Sequence, residues 1–290
     1  MTLRAFTVIA CLLLAGPARA QQAVQSFDSS GVQIQYLDKG RGVPVVLLHG
    51  FTGSYARHWE APGVIGALDA AGYRVIAMDC RGHGQSGKPH DPGQYGLEMV
   101  QDVLRLLDHL RVDRAHIVGY SMGGGIAAQL LVRYPNRVKT VTLLGAGWEG
   151  DDPAAMRSLM TELADGFAKR DASALVSRVT SNGENTPAPT AAEIAAMNDA
   201  LFARNDALAL SACARSMATL FDVRADRLRA VTTPVLAIVG ELDTPNVESV
   251  ARMKTVVRGL QVVQLPGANH ATSVRPSAAP LLAFLNTHRN

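Results

Sequence analysis

A serine stands between two glycines at Gly119-Tyr120-Ser121-Met122-Gly123, with Gly124 and Gly125 behind it. Upstream, Ala115-His116-Ile117-Val118 is a short, largely apolar run of the kind a buried parallel strand shows. Downstream, Ile126 to Val132 is rich in Ala, Leu and Gln, which favour helix. A serine at a tight strand-to-helix turn is pushed to positive φ, and its Oγ is lifted clear of the sheet. Side chains two residues before and two after it would collide there, so Gly119 and Gly123 suit the geometry. The backbone N–H of Met122 would then face the oxyanion that forms when Ser121 attacks a carbonyl. The competing reading is a glycine-rich loop with an incidental serine. The strand before and the helix after favour the nucleophile.

Serine needs a base, and the base needs an orienting acid. Three other strand ends carry such chemistry. The apolar run Val43 to Leu48 opens into His49-Gly50-Phe51. The run Pro234 to Gly240 leads to Glu241-Leu242-Asp243, and Gln261 to Leu265 leads to Pro266-Gly267-Ala268-Asn269-His270. The order is serine, acid, histidine. Of the eight histidines, His270 alone lies in the loop directly after the last strand, whereas His58, His90, His109, His116 and His288 sit in no chemical context. Glu149 and Asp151, beyond the strand that ends near Leu144, are the rivals to Asp243 as acid.

The elements that must position these residues follow from hydrophobic patterning. Val32 to Leu37 alternates, as a half-exposed antiparallel strand does, and Asp38 to Gly42 is a turn. Arg74 to Met78 is a strand ending in the glycine-rich loop Asp79 to Gly87. Val100, Val103, Leu104, Leu107 and Leu110 share one face of a helix over Glu98 to Leu110. Val138 to Leu144 is another strand, and Pro276 to His288 closes the chain as a helix. Between Gly147 and about Ala230 no segment reads as a strand; Ala, Leu, Met and Arg recur at helical spacing, interrupted by a loop near Ser181 to Thr190. Alternating strands and helices imply an α/β chain with a mostly parallel sheet, a helical insertion, and its chemistry at strand C-terminal ends.

Composition narrows the partners. With 48% hydrophobic and 18% charged residues in 290, a sizeable core is available and disorder is excluded. Residues 1–20 read as a cleavable leader: Arg4, an apolar stretch from Ala5 to Ala15, then Ala18-Arg19-Ala20 before the cut. That stretch falls short of the roughly 20 residues a membrane span needs, so stable insertion is not expected. Export to the periplasm or beyond is the expectation, with lipid attachment at Cys11 ranked below it. Without the leader, 26 basic side chains face 25 acidic ones, and no basic run argues for nucleic acid. Export also removes Cys11, leaving Cys80 and Cys213 as two separate thiols. No cysteine–histidine cluster has ligand spacing, so neither metal nor cofactor is expected.

Taken together, His49-Gly50-Phe51, Asp79-x-Arg81-Gly82-His83-Gly84-x-Ser86, Gly119-Tyr120-Ser121-Met122-Gly123, Asp243 and Gly267-Ala268-Asn269-His270 resemble the α/β-hydrolase fold family, in its cap-bearing, esterase-like branch. The resemblance covers essentially the whole chain after residue 20. It implies an eight-stranded, mostly parallel sheet flanked by helices, a core over 21–146 and 231–290, and a helical cap over 147–230. It also implies Ser121 as nucleophile, His270 as general base, Asp243 as its orienting acid, and the amides of Phe51 and Met122 as the oxyanion hole. Phe51, Met122 and Trp148 would line the substrate pocket. His49 and His83 become supports of turns, and Asp79 with Arg81 a pair that braces a loop. A serine nucleophile, unlike the aspartate of dehalogenases and epoxide hydrolases, points to acyl transfer on a small molecule such as an ester, lactone or thioester. Hydrolysis of a vinylogous C–C bond, perhydrolysis on the same triad, and a receptor-like protein with little turnover are the alternatives.

Overall fold

The computed structural model of the chain describes residues 24–152, 154–180 and 190–290. The expected leader with Cys11, and the expected loop from Ser181 up to residue 189, lie outside the described residues.

Eight strands form one sheet: β1 (Gln25–Ser29), β2 (Val32–Lys39), β3 (Pro44–Leu48), β4 (Arg74–Met78), β5 (Ala115–Tyr120), β6 (Val138–Leu144), β7 (Val235–Gly240) and β8 (Gln261–Leu265). Their order is β1-β2-β4-β3-β5-β6-β7-β8. The hairpin β1–β2 and the pair β2–β4 are antiparallel, and every other pair is parallel. β5 and β7 are buried along their whole length, which explains their largely apolar patterning. β1 is the strand with no clear sequence signal. It is a polar edge strand of which only Phe27 and Ser29 are buried.

From β3 the chain steps outward to β4, then returns past β3 to β5 on its other side. At such a reversal the connections leave in opposite directions, and a crevice opens at the strand carboxyl ends. Leu48 stands beside Gly119 in the register of β3 and β5. The turn after Leu48 and the turn after Tyr120 therefore face each other across that crevice.

Helices α1 (Val64–Ala70), α2 (Leu97–His109), α3 (Met122–Arg133), α9 (Thr244–Lys254) and α10 (Ala278–Thr287) flank the sheet. In α3 every residue from Met122 to Leu131 is buried, as expected of a helix apolar on all sides. α2 instead buries one face, with Met99, Val100, Val103, Leu106 and Leu107 inward. The inward Asp102 on that face holds Arg81 in a doubly hydrogen-bonded pair of 2.6 Å contacts. Arg81 and Asp79 therefore do not brace the loop as a pair. Asp79 works separately, accepting the Tyr55 and Gln85 N–H groups at 2.8 Å each. Arg81 needs a carboxylate that is itself buried, and Asp102 supplies it from α2.

Between β6 and β7 the described residues hold only helices: α4 (Ala154–Ala168), α5 (Ser173–Thr180), α6 (Ala191–Phe202), α7 (Ala207–Phe221) and α8 (Ala225–Arg229). α4 and α7 pack along their length, with Ser211 Oγ donating to the Ala164 carbonyl at 2.7 Å. Gln129 of α3 reaches the end of α7, its amide Nε2 lying 3.0–3.1 Å from the carbonyls of Thr219, Leu220 and Asp222. Cys80 and Cys213 are both buried and unpaired with each other. Among the described residues no helix is long and apolar enough to cross a membrane.

Candidate active site

Ser121 follows β5 directly and precedes the first residue of α3, with φ 52° and ψ −113°. A non-glycine residue in that region costs on the order of 1–3 kcal/mol and persists only where the surroundings enforce it. Here the Ser121 N–H donates to Leu144 O at 2.9 Å, tying the turn to β6. A Cβ on Gly119 would sit 2.1 Å from Gly123 O, and one on Gly123 would sit 2.2 Å from Leu48 O. Only glycine fits at either place, and the turn closes as tightly as the sequence implied.

Two backbone amides flank Ser121. Met122 opens α3, so its N–H has no intrahelical partner. The second amide belongs to Phe51, and its peptide is pinned from behind. His49 Nδ1 lies 2.8 Å from Gly50 O and Gly53 N–H donates to the same oxygen at 3.1 Å. His49 Nε2 accepts the Cys80 N–H at 2.9 Å, which assigns the proton to Nδ1. A trans peptide points its N–H opposite to its C=O, so fixing Gly50 O also fixes the Phe51 N–H. Among the described residues neither amide has a partner, and Phe51 and Met122 both line the cavity at Ser121.

His270 reaches the same cavity from the loop after β8, and Asp243 from the loop after β7. Their Nδ1–Oδ2 separation is 2.8 Å. The Glu241 N–H donates to Leu265 O at 3.0 Å and the Gly267 N–H to Glu241 Oε2 at 2.9 Å, so the two loops are fastened together. Asn246 Nδ2 lies 2.8 Å from Asp243 Oδ1 and 3.2 Å from His270 Nδ1. His270 Nδ1 donates its proton to the carboxylate, so the amide serves Asp243. Tyr120, the variable residue of the glycine–serine motif, stacks on His270 at 5.1 Å and donates its hydroxyl to His270 O at 2.9 Å. Burial first, and then the nearby Asp243, push the Tyr120 phenol above its ordinary range, so it stays a donor. Among the described residues Ser121 Oγ makes no hydrogen bond, His270 included. Such contacts often tighten only once substrate is bound.

The cavity has a volume of about 90 Å³. Its floor is Phe51, Ser121, Met122 and His270; over them lie Met156, Leu159, Met160 and Leu163 of α4, Leu175 of α5, and Met217 and Phe221 of α7. Glu149 and Asp243 are its carboxylates, and no Lys or Arg among the described residues lines it. A wider cleft of about 630 Å³, lined by Glu162, Ser177, Thr244 and Pro245 among others, meets the same His270 and Asp243.

Trp148 is not brought to this cavity. Its indole N–H donates to Val223 O at 2.7 Å, and it packs with Leu228 and Met253 where the helical segment rejoins the core. Its neighbour Glu149 lines the cavity instead. Glu149 has Arg252 at 3.6 Å, and Asp151 accepts the Ala225 N–H at 2.7 Å, so neither rival replaces Asp243 beside His270. Sequence reading gave no role to Tyr120, His58 or Asn246. The pattern Asp243-Thr244-Pro245-Asn246 starts a helix, which puts Asn246 one turn beyond the acid, and that spacing was the available signal for it. Among the described residues no group of three or more His, Cys, Asp and Glu side chains could hold a metal ion.

Residues 43–273 match the profile of the alpha/beta hydrolase fold family, and the chain belongs to that family. It is similar to the dihydrolipoyllysine-residue acetyltransferase component of the acetoin cleaving system of Cupriavidus necator, at 41% identity over 140 residues, 47% of this chain and 36% of that one. Against 2-hydroxymuconate semialdehyde hydrolase of Pseudomonas sp. strain CF600 it is 33% identical over 131 residues, 45% of this chain and 46% of the other. The chain thus spans less than half the length of these curated relatives. Among solved structures, that of Est816, described as an N-acyl homoserine lactone degrading enzyme, superposes with a TM-score of 0.71 at 27% identity. That superposition covers 91% of this chain and 99% of the other.

Proposed function

We propose that this protein is a serine hydrolase of the carboxylesterase type, cleaving esters or lactones of short, uncharged acyl groups. The observation that carries the reading is the convergence of Ser121, the His270–Asp243 pair and two unpartnered amides on one small apolar cavity.

In this mechanism His270 Nε2 takes the Ser121 proton as Oγ bonds to the acyl carbon. The carbonyl π bond opens, and the oxyanion is held by the Phe51 and Met122 N–H groups. Collapse of the tetrahedral intermediate breaks the bond to the leaving oxygen, which receives the proton from His270 Nε2. Water then attacks the acyl-serine, giving its proton to His270, and the second collapse returns that proton to Ser121. Asp243 orients the imidazole and stabilises its charged form; it stays a carboxylate throughout. The leaving group departs by the polar cleft on the far side of His270.

Acyl size and charge follow from the lining. A cavity of about 90 Å³ is well below the roughly 300 Å³ where pockets for drug-sized ligands begin. No Lys or Arg among the described residues lines either the cavity or the wider cleft, which disfavours a substrate that carries a carboxylate on its acyl or its leaving side. We therefore rank ester hydrolysis above C–C hydrolysis, and read residues 147–230 as a cap that sets acyl preference. The leader assigns the protein to the periplasm or the medium, a proposal that N-terminal sequencing of the mature protein tests.

Purified enzyme assayed on ethyl acetate, butyrate and octanoate, on monoethyl succinate and on an acyl lactone should favour the short neutral acids. Ser121→Ala should lose roughly 10⁴-fold or more in kcat. Turnover that survives this substitution, or a preference for monoethyl succinate, would overturn the corresponding half of the proposal.

A further inference from the structure

His58 has no place in the mechanism above, yet it sits directly behind the oxyanion turn. It occupies a short helical turn, Ala56–Glu60, whose Trp59 is buried. From there its Nδ1 accepts the Gly50 N–H at 3.1 Å. The ring is held close: a Cβ on Gly53 would lie 2.2–2.9 Å from three of its atoms, so the glycine makes room for the imidazole. On its other side the ring meets Tyr120 edge-on, centroids 5.0 Å apart at 86°. Tyr120 in turn stacks on His270.

We propose that His58 is a positioning residue for the oxyanion hole: its Nδ1 lone pair takes the Gly50 N–H while His49 takes the Gly50 C=O, and the two histidines together hold the Phe51 N–H toward the carbonyl on Ser121. The inference rests on the reading of Phe51 as an oxyanion donor. Holding both polar groups of Gly50 removes the peptide rotation that would turn the Phe51 N–H away. Through Tyr120 the same ring braces the face of His270, so oxyanion donor and base are referenced to one another.

The role requires an unprotonated ring, because a proton on Nδ1 would oppose the Gly50 N–H. The groups facing His58 meet that requirement. His49, Arg57, His270 and His83 surround it and Tyr120 closes the remaining side; burial first, and then the positive charge of Arg57 and of any neighbouring imidazole that takes a proton, depress its pKa to about 3.

The test compares His58→Leu, which keeps bulk without an acceptor, with His58→Asn, whose Oδ1 falls near the position of Nδ1. On the best ester, the leucine variant should lose about 10- to 100-fold in kcat, below the 10²–10³ of deleting an oxyanion donor outright, with KM nearly constant. Asparagine should recover most of that loss. Affinity for butylboronic acid, which forms a tetrahedral adduct on the serine, should fall in step with kcat, while affinity for butyrate stays level. Equal activity in both variants, or equal weakening of boronate and butyrate, would overturn the proposal. Nitrogen-15 spectra of the wild type give a readout independent of catalysis and of any variant's folding. They should show His58 neutral and protonated on Nε2 at pH 5, and a cationic ring there would overturn it as well. Failure of the hydrolase reading is separate, since it appears as wild-type turnover that does not depend on Ser121.

Discussion

Asn246 shows how the acid is held in working order. One oxygen of Asp243 is taken by His270 and the other by the Asn246 amide, each at 2.8 Å. A carboxylate anchored at both oxygens cannot swing its plane away from the imidazole. Asn246→Leu removes one charge-assisted hydrogen bond, worth roughly 1.5–3 kcal/mol, though part is recovered by solvent reaching the freed oxygen. We expect a fall of about tenfold in kcat with little change in KM. Steady-state kinetics on a short ester measures this, and an unchanged kcat would remove Asn246 from the site. Ser121, Asp243 and His270 were legible because strand ends and chain order mark them. Tyr120, His58 and Asn246 were not, since their partners are brought to them by the fold: Tyr120 meets a carbonyl 150 residues away.

At the scale of elements, one buried amide hydrogen-bonds α3 to the end of α7. Gln129 is buried, and its Nε2 lies against three carbonyls at the C-terminal end of α7, groups that the helix itself cannot satisfy. Gln129→Leu keeps the volume and strips those carbonyls of their donor. The expected cost is about 1–3 kcal/mol, read as a lower urea midpoint at unchanged slope. Because α7 contributes Met217 and Phe221 to the cavity, preference for butyrate over acetate should weaken too. A variant with wild-type midpoint and selectivity would show the contact to be dispensable. The helical segment was legible in outline from its lack of strand patterning. Its internal packing was not, because apolar spacing marks a buried face without saying what covers it. Trp148 was misplaced for the same reason: an aromatic beside a boundary gives no sign of which way it turns.

At the scale of the whole molecule, the buried histidines govern tolerance of acid. Burial depresses His58 and His83 to about 3 and His116 to about 4. In the unfolded chain each titrates near 6.5. Above that pH both states are neutral there, and stability is independent of these groups. Below it the unfolded chain binds protons that the folded one refuses, so stability falls as pH falls, at about 1.4 kcal/mol per pH unit for each histidine. Three together give about 4 kcal/mol per unit down to pH 4, against a usual total of roughly 5–15 kcal/mol. Urea midpoints measured between pH 7.5 and 4.5 should therefore drop steeply below 6.5, and a flat series would contradict the burial of these rings. The sheet itself was largely readable, since strands buried on both faces write continuous apolar runs. β1 was the exception, as a polar edge strand writes almost nothing.

One more property lies in the register of β6 and β7. Val141 stands beside Val235, so the chain leaves the sheet and returns to it on adjacent strands. The Trp148–Val223 and Asp151–Ala225 hydrogen bonds sew departure to return. An excursion whose ends already touch can grow or shrink at an entropic cost of only about 0.6 kcal/mol per doubling of length. In the proposed reaction the groups that make and break bonds, Ser121, His270 and the Phe51 and Met122 amides, lie outside the excursion, and the helix side chains above them in the cavity lie within it. On that proposal, a different roof over the same floor would change which substrate is cleaved and leave the cleaving chemistry as it is.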